Sequence, residues 1–167
     1  MARGKKMGIG KKILLLLLAV FIIMQFSRID KTNPKVDKAK DFITLVNPPA
    51  DIEKTIRAAC YDCHSNETEY PWYTNVAPVS WIIGNHIEEG REYFNFSTWA
   101  DYDEDKKNHL LHECEEELEK EEMPLSSYTW THGDANLSDE KREELAEWFE
   151  DQMTGPDKGH SHEEHEH

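Results

Sequence analysis

The chain lacks alternating apolar and polar stretches, so nothing in it reads as a half-buried strand. Basic charge is scarce where nucleic-acid recognition would need it. Five of the 19 Lys and Arg fall in the first 26 residues and none of the 34 Asp and Glu do, which leaves the rest with a formal charge of −20. Phosphate neutralisation requires basic patches, so this balance argues against a nucleic-acid partner. Such an acidic surface favours basic partners and repels anionic headgroups, or serves solubility alone. Cysteine is sparse too, with three in the chain, and only Cys60 and Cys63 are closely spaced.

A cleavage signal is also missing. Arg3, Lys5, Lys6, Lys11 and Lys12 precede an apolar run over residues 13–26, and Gln25-Phe26-Ser27-Arg28-Ile29-Asp30 offers no small-x-small site. A retained anchor is therefore favoured over a cleaved signal peptide. A helix carried to Ile29 has 17 residues and is roughly 25 Å long, enough to span a thin hydrocarbon core with snorkelling lysines. With its positive end in the cytoplasm, this topology predicts a single-pass inner-membrane protein whose remaining residues lie on the periplasmic side.

What is present is Cys60-Tyr61-Asp62-Cys63-His64, a C-x-x-C-H run with the spacing of a c-type haem attachment site. Two thiols three positions apart can form thioethers to the vinyl groups of one haem, and the adjoining imidazole can reach its iron. A thioredoxin-like redox site needs a βαβ setting that is absent. A zinc set of Cys60, Cys63, Cys114 and a histidine is the better rival, although structural zinc sites usually bring a second close ligand pair.

Helical periodicity organises the chain. Ile52, Ile56, Ala59, Cys60 and Cys63 share one face, so the cysteines are expected against the core, and further helices are expected over residues 79–94, 104–121 and 139–153. Ser138 reads as the N-cap of the last, and Leu110, Cys114 and Leu118 as a buried stripe. Met123, before Pro124 on a loop after an acidic helix, is a candidate distal iron ligand; His86 and His132 are the alternatives. Trp72, Tyr73, Trp81, Phe94, Phe96 and Trp99 are expected to wrap a porphyrin, and Arg91 to pair with a propionate if it lies near one.

A longer string carries a resemblance. Cys60-Tyr61-Asp62-Cys63-His64-Ser65-Asn66 is followed by Tyr70-Pro71-Trp72-Tyr73, Ala77-Pro78-Val79-Ser80-Trp81, His86, Glu89-Gly90-Arg91, Asn95-Phe96-Ser97 and Trp99. Glu122-Met123-Pro124, Tyr128, His132 and Leu137-Ser138 with Glu140 come later. In these residues the chain resembles the small bacterial haem-binding domain family of single-haem, usually membrane-anchored c-type cytochromes. The resemblance implies one haem c held covalently by Cys60 and Cys63, with His64 as proximal and Met123 as distal iron ligand. It departs at Leu125, where a second proline is common, and at Glu121, where glycine often precedes the Glu-Met-Pro run.

The resulting expectation is all-α: a small cytochrome c-like helical domain around one covalent haem, preceded by an N-terminal transmembrane helix. It divides into a basic segment and anchor (1–29), a linker with a short helical stretch over 36–45 (30–48), the haem domain (49–153) and a disordered His/Glu-rich tail (154–167). The expected function is electron transfer, non-enzymatic, with lipid around the anchor and a redox partner that has a basic docking surface. A haem-based sensor or peroxidase-like enzyme with a labile sixth ligand is the alternative, and a structural zinc domain the remote one. The tail's His160, His162, His165 and His167 can capture divalent metal transiently.

Overall fold

Among residues 8–154, which the computed structural model describes, the chain forms eight α-helices and three short 3₁₀ segments with no strand. The helices are α1 (Ile9–Met24), α2 (Phe42–Val46), α3 (Ala50–Ala59), α4 (Tyr61–His64), α5 (Val79–Tyr93), α6 (Glu104–Glu119), α7 (Ser126–Thr129) and α8 (Asp139–Gln152). The all-α expectation holds. The ends of α5, α6 and α8 fall within two residues of the boundaries that periodicity sets. Local capping explains two of the starts: Asp103 and Ser138 accept from the Lys106 and Lys141 amides at the head of α6 and α8.

The N-terminal helix differs from expectation. It begins before Lys11 and Lys12, stops at Met24 rather than Ile29, and has 16 residues, none of them buried. It ends there because the Gln25, Phe26 and Ser27 amides tighten onto the carbonyls three residues back, and because the Gln25 side chain reaches across to Ala77. No helix among the described residues is long and apolar enough to cross a membrane. The basic residues before position 8 and all but the first residue of the expected tail lie outside the described residues.

Residues 30–48 are no free tether. The helical stretch shrinks to α2, and Asp41, Phe42 and Ile43 are buried. Asp41 accepts from the Thr44 amide at the head of α2 and from the Tyr61 hydroxyl at 3.1 Å, tying the segment to α4. The Phe42 ring lies 4.9 Å from Phe96 and 4.8 Å from Trp99 between centroids, and also meets Trp148 and Phe149 of α8. One aromatic side chain thus joins the first segment of the domain to its last helix. Ile52 and Ile56 of α3, Leu110, Leu111 and Leu118 of α6, and Leu145, Ala146 and Phe149 of α8 complete the core.

This burial makes Phe42 a structural residue of the domain. Phe42→Ala is expected to lower stability by about 3–5 kcal/mol, read as a lower urea midpoint of the purified protein. A loss under about 1 kcal/mol, the range of a surface change, would return residues 30–48 to the role of a linker.

Candidate functional site

The helix leading into the C-x-x-C-H run is not continuous. Cys60 departs from helical geometry (φ −123°, ψ −38°), so the cysteines sit at the corner between α3 and α4 rather than along one unbroken face. The corner stays hydrogen-bonded, with the Cys60 amide donating to Ile56 and the His64 amide to the Cys60 carbonyl, both at 2.9 Å. Both thiols nevertheless line one cavity of about 510 Å³, with Ala59 and His64 beside them. This volume lies in the range of small-molecule and cofactor sites, roughly 300–1,000 Å³.

The walls come from four directions. Helix α5 contributes His86, Glu89, Gly90 and Tyr93, followed by Phe94 and Phe96; α6 contributes Glu113, Cys114, Glu117 and Leu118. Met123, Pro124 and Leu125 follow from the next loop, and Tyr128 and Phe149 close the remainder. The sequence-predicted Cys60, Cys63, His64, Met123 and His86 are therefore brought together. His132 is not among them. Its ring stacks on Tyr128 with centroids 4.0 Å apart, and its Nε2 lies 3.0 Å from the Tyr73 hydroxyl, in a separate surface depression.

The aromatic wrap is narrower than expected. Phe94 and Phe96 line the cavity, whereas Trp99 is core, Trp72 is exposed and the Trp81 indole donates to the Ser27 carbonyl. Arg91 has a different task from the one anticipated. Its guanidinium donates to the Ser65 carbonyl, the Asn33 side chain and the Thr68 hydroxyl, each at 2.7 Å, fixing the chain that follows the C-x-x-C-H run. Asn66 joins the same network, its amide donating to Ser97 Oγ and its side-chain oxygen accepting from Asn95. Ser65, Asn66, Asn95 and Ser97 stand in the string that carries the family resemblance without an expected role, whereas Asn33 and Thr68 lie outside it.

His64 is held by packing. Its ring stacks on Phe94 with centroids 4.3 Å apart and planes 18° from parallel. Nδ1 is buried without a hydrogen-bond partner, and the residue forms part of the cavity wall. Burial lowers the imidazole's affinity for protons, against the pull of the Phe94 and Gly90 backbone, and so favours the neutral ring, the form in which an imidazole can bind a metal. Gly90 makes this approach possible: a Cβ there would stand 2.9 Å from the Cys63 carbonyl oxygen.

The Met123 loop is fixed through its backbone. The Met123 amide donates to the Glu117 carbonyl at 3.1 Å, and its carbonyl accepts from the Arg142 guanidinium of α8 at 2.7 Å. The turn out of α6 places Glu121 at φ 56°, the left-handed region that glycine occupies without penalty. On the opposite side of the motif, the Tyr128 hydroxyl lies 3.0 Å from the Ala58 carbonyl and 2.9 Å from the Asp62 carboxylate.

The thiols are free. Burial pushes Cys60 up to about 12, and burial with the nearby Asp62 charge pushes Cys63 up to about 11. Cys114 is raised as well, chiefly by burial and then by Cys60, and it belongs to the cavity wall rather than to a purely structural stripe. Among the described residues no three His, Cys, Asp or Glu side chains converge as a metal-ion set, so the expected zinc alternative is not assembled.

An all-helical domain folded around an apolar cavity, with two cysteines, a histidine and a methionine in its walls, has the donor set and space to house haem. The model of the haem-binding domain family matches residues 19–151, and the chain belongs to that family. The match reaches upstream into α1 and across residues 30–48, in keeping with the burial of Phe42. No curated protein and no solved structure matches the chain.

Two outcomes follow from this geometry. In haem-free protein, alkylation of Cys60 and Cys63 is expected to rise with pH and still be climbing at pH 10; in urea it should level off about one unit above the free-thiol value near 8.5. Levelling in the folded protein at the free-thiol value would contradict the buried, protonated state. Glu121→Gly is expected to stabilise the protein by about 0.5–1 kcal/mol, seen in denaturant unfolding, because it relieves the left-handed backbone at a smaller entropic cost.

Proposed function

We propose that the protein is a membrane-anchored, extracytoplasmic mono-haem c-type cytochrome that transfers electrons. The observation that carries this reading is the meeting of Cys60, Cys63, His64 and Met123 in the walls of one cavity. In this reading Cys60 and Cys63 hold haem c by thioethers, His64 is the proximal ligand and Met123 the distal one. Haem, when bound, supplies a one-electron iron couple. Everything else is the work of this chain: Phe94 orients the His64 ring, Arg142 and Glu117 fix the Met123 backbone, and Phe94, Phe96, Leu118 and Phe149 exclude water. His86, in the same wall, is the reserve ligand.

The anchor in this reading is α1. Its 16 residues give about 24 Å, shorter than a typical ~30 Å hydrocarbon core. A short helix is accommodated by local thinning of the bilayer and by snorkelling lysines, here Lys11 and Lys12. Placement on the periplasmic side follows from the basic residues before the apolar run. The acidic surface of α6 and α8 suits a redox partner with a basic docking face.

A second reading draws on different residues. Glu113 and Glu117 line the same cavity, and the Tyr93 hydroxyl donates to Glu113 at 2.8 Å, so this wall holds the proton-handling groups that a sensor or peroxidase-like enzyme would use. Visible and near-infrared spectra of the protein, matured in a competent periplasm, separate the two. The carrier is expected to retain haem through acid-acetone extraction, show a sulfur-to-iron charge-transfer band when oxidised, and bind carbon monoxide slowly when reduced. Met123→Ala should keep the covalent haem, lose that band and lower the reduction potential, since axial ligands help tune haem potentials across about 0.8 V. Rapid carbon monoxide binding by the unaltered protein selects the second reading, and extractable haem sinks both.

A further inference from the structure

An uncharged stretch of chain beside the end of α1 takes no part in the haem cavity. Residues 70–84 hold no Asp, Glu, Lys or Arg, in a chain of which 32% is charged. On it Trp72, Val79 and Ile82 are 77%, 43% and 54% exposed. Val79 and Ile82 are three residues apart on α5 and therefore share a side.

This surface is pinned to the segment that leaves α1. The Gln25 side-chain amide donates to the Ala77 carbonyl at 3.1 Å and accepts from the Ala77 amide at 2.9 Å. The Trp81 indole donates to the Ser27 carbonyl at 2.8 Å, and the Lys31 ammonium donates to the Asn75 side chain at 2.6 Å. Gly84 gives room to Ile29, whose Cγ2 would lie 2.9 Å from an added Cβ. With contacts at every second residue from 25 to 31, the chain has no free hinge between α1 and this face.

We propose that this face rests in the interfacial layer of a lipid bilayer, with Trp72, Val79 and Ile82 seated beside the inserted α1; the proposal rests on the anchored reading above. An inserted helix fixed to a domain brings the face at its exit to the headgroup level. Tryptophan is suited to that depth, apolar in body with a polar N–H. Charge is costly to dehydrate there, and the stretch carries none. The acidic residues of α6 and α8, which anionic headgroups would repel, belong to other elements. The junction itself offers Arg28 and an 83% exposed Phe26, a basic and an aromatic side chain at the same boundary.

Spin labels test the arrangement in the full-length haem-loaded protein reconstituted into phosphatidylcholine nanodiscs, with the parent protein, which keeps the cavity-wall Cys114, carried through labelling as the blank. Single labels go on Trp72→Cys, Ile82→Cys, Leu17→Cys within α1, and Glu143→Cys on the exposed side of α8, with an unchanged haem spectrum as the check on folding. Labels at 72, 82 and 17 are expected to collide more with oxygen than with a water-soluble nickel chelate, and the label at 143 to show the inverse ratio. An aqueous profile at 72 and 82 with a lipid profile at 17 overturns this proposal and leaves the anchor standing. An aqueous profile at all three overturns the anchor with it. Immobilisation at 72 and 82 that grows with protein-to-disc ratio, without oxygen preference, assigns the face to a second copy and also overturns the proposal.

Discussion

The close approach of α5 to the peptide of Cys63 is the constraint on which the rest of the structure depends. It exists because Gly90 has no side chain, and any Cβ there would press on the Cys63 carbonyl. With α5 this near, the next residues bring Phe94 flat against His64 and Phe96 flat against Tyr61, whose ring planes differ by 10°. The orientation of the His64 imidazole is thus a consequence of helix packing. The Arg91 clamp on Ser65 and Thr68 holds the same helix to the chain just past the motif, so one turn of α5 both makes room for the motif and locks it.

A cavity at the centre of so small a domain is costly when unfilled, on the order of 24 cal/mol for each Å³ left without partner atoms. The polypeptide core runs up to that cavity. Phe42, Trp99, Leu110 and Leu145 pack among α2, α6 and α8, while Phe94, Phe96, Leu118 and Phe149 belong both to the core and to the cavity wall. Haem in that volume completes the core as well as supplying chemistry. This is why residues 30–48, which look like a tether by composition, are drawn in: a domain that keeps its centre for a cofactor needs apolar cover from its margins.

Much of this was legible in the sequence, and the failures share a cause. Helices α5, α6 and α8 were readable because each buries a face with period 3.6, and Ser138 because its capping is local. The grouping of Cys60, Cys63, His64 and Met123 was readable because the motif and the Met-Pro loop are short and distinctive. The break at Cys60 was not, since apolar spacing continues through it. Nor were the roles of Arg91, Trp81 and His132, each set by partners some 26 to 59 positions away. Periodicity reports which face is buried; it carries no information about which distant carbonyl a polar side chain will find.

The position of Met123 shows how a long-range arrangement is nevertheless built from local ones. The end of α6 sets the path: Glu121 turns left-handed, and the Glu122 and Met123 amides both return to the Glu117 carbonyl. The path alone leaves the Met123 carbonyl unsatisfied, and Arg142, in the second turn of α8, supplies its donor. Because α6 and α8 pack along one another, the two anchors of the loop move as one body. The sulfur therefore reaches the cavity from a backbone fixed at both sides, while its thioether keeps torsional freedom. A glycine at 121 would ease the turn without moving either anchor. The departure from the family pattern there consequently bears on stability more than on where the methionine points.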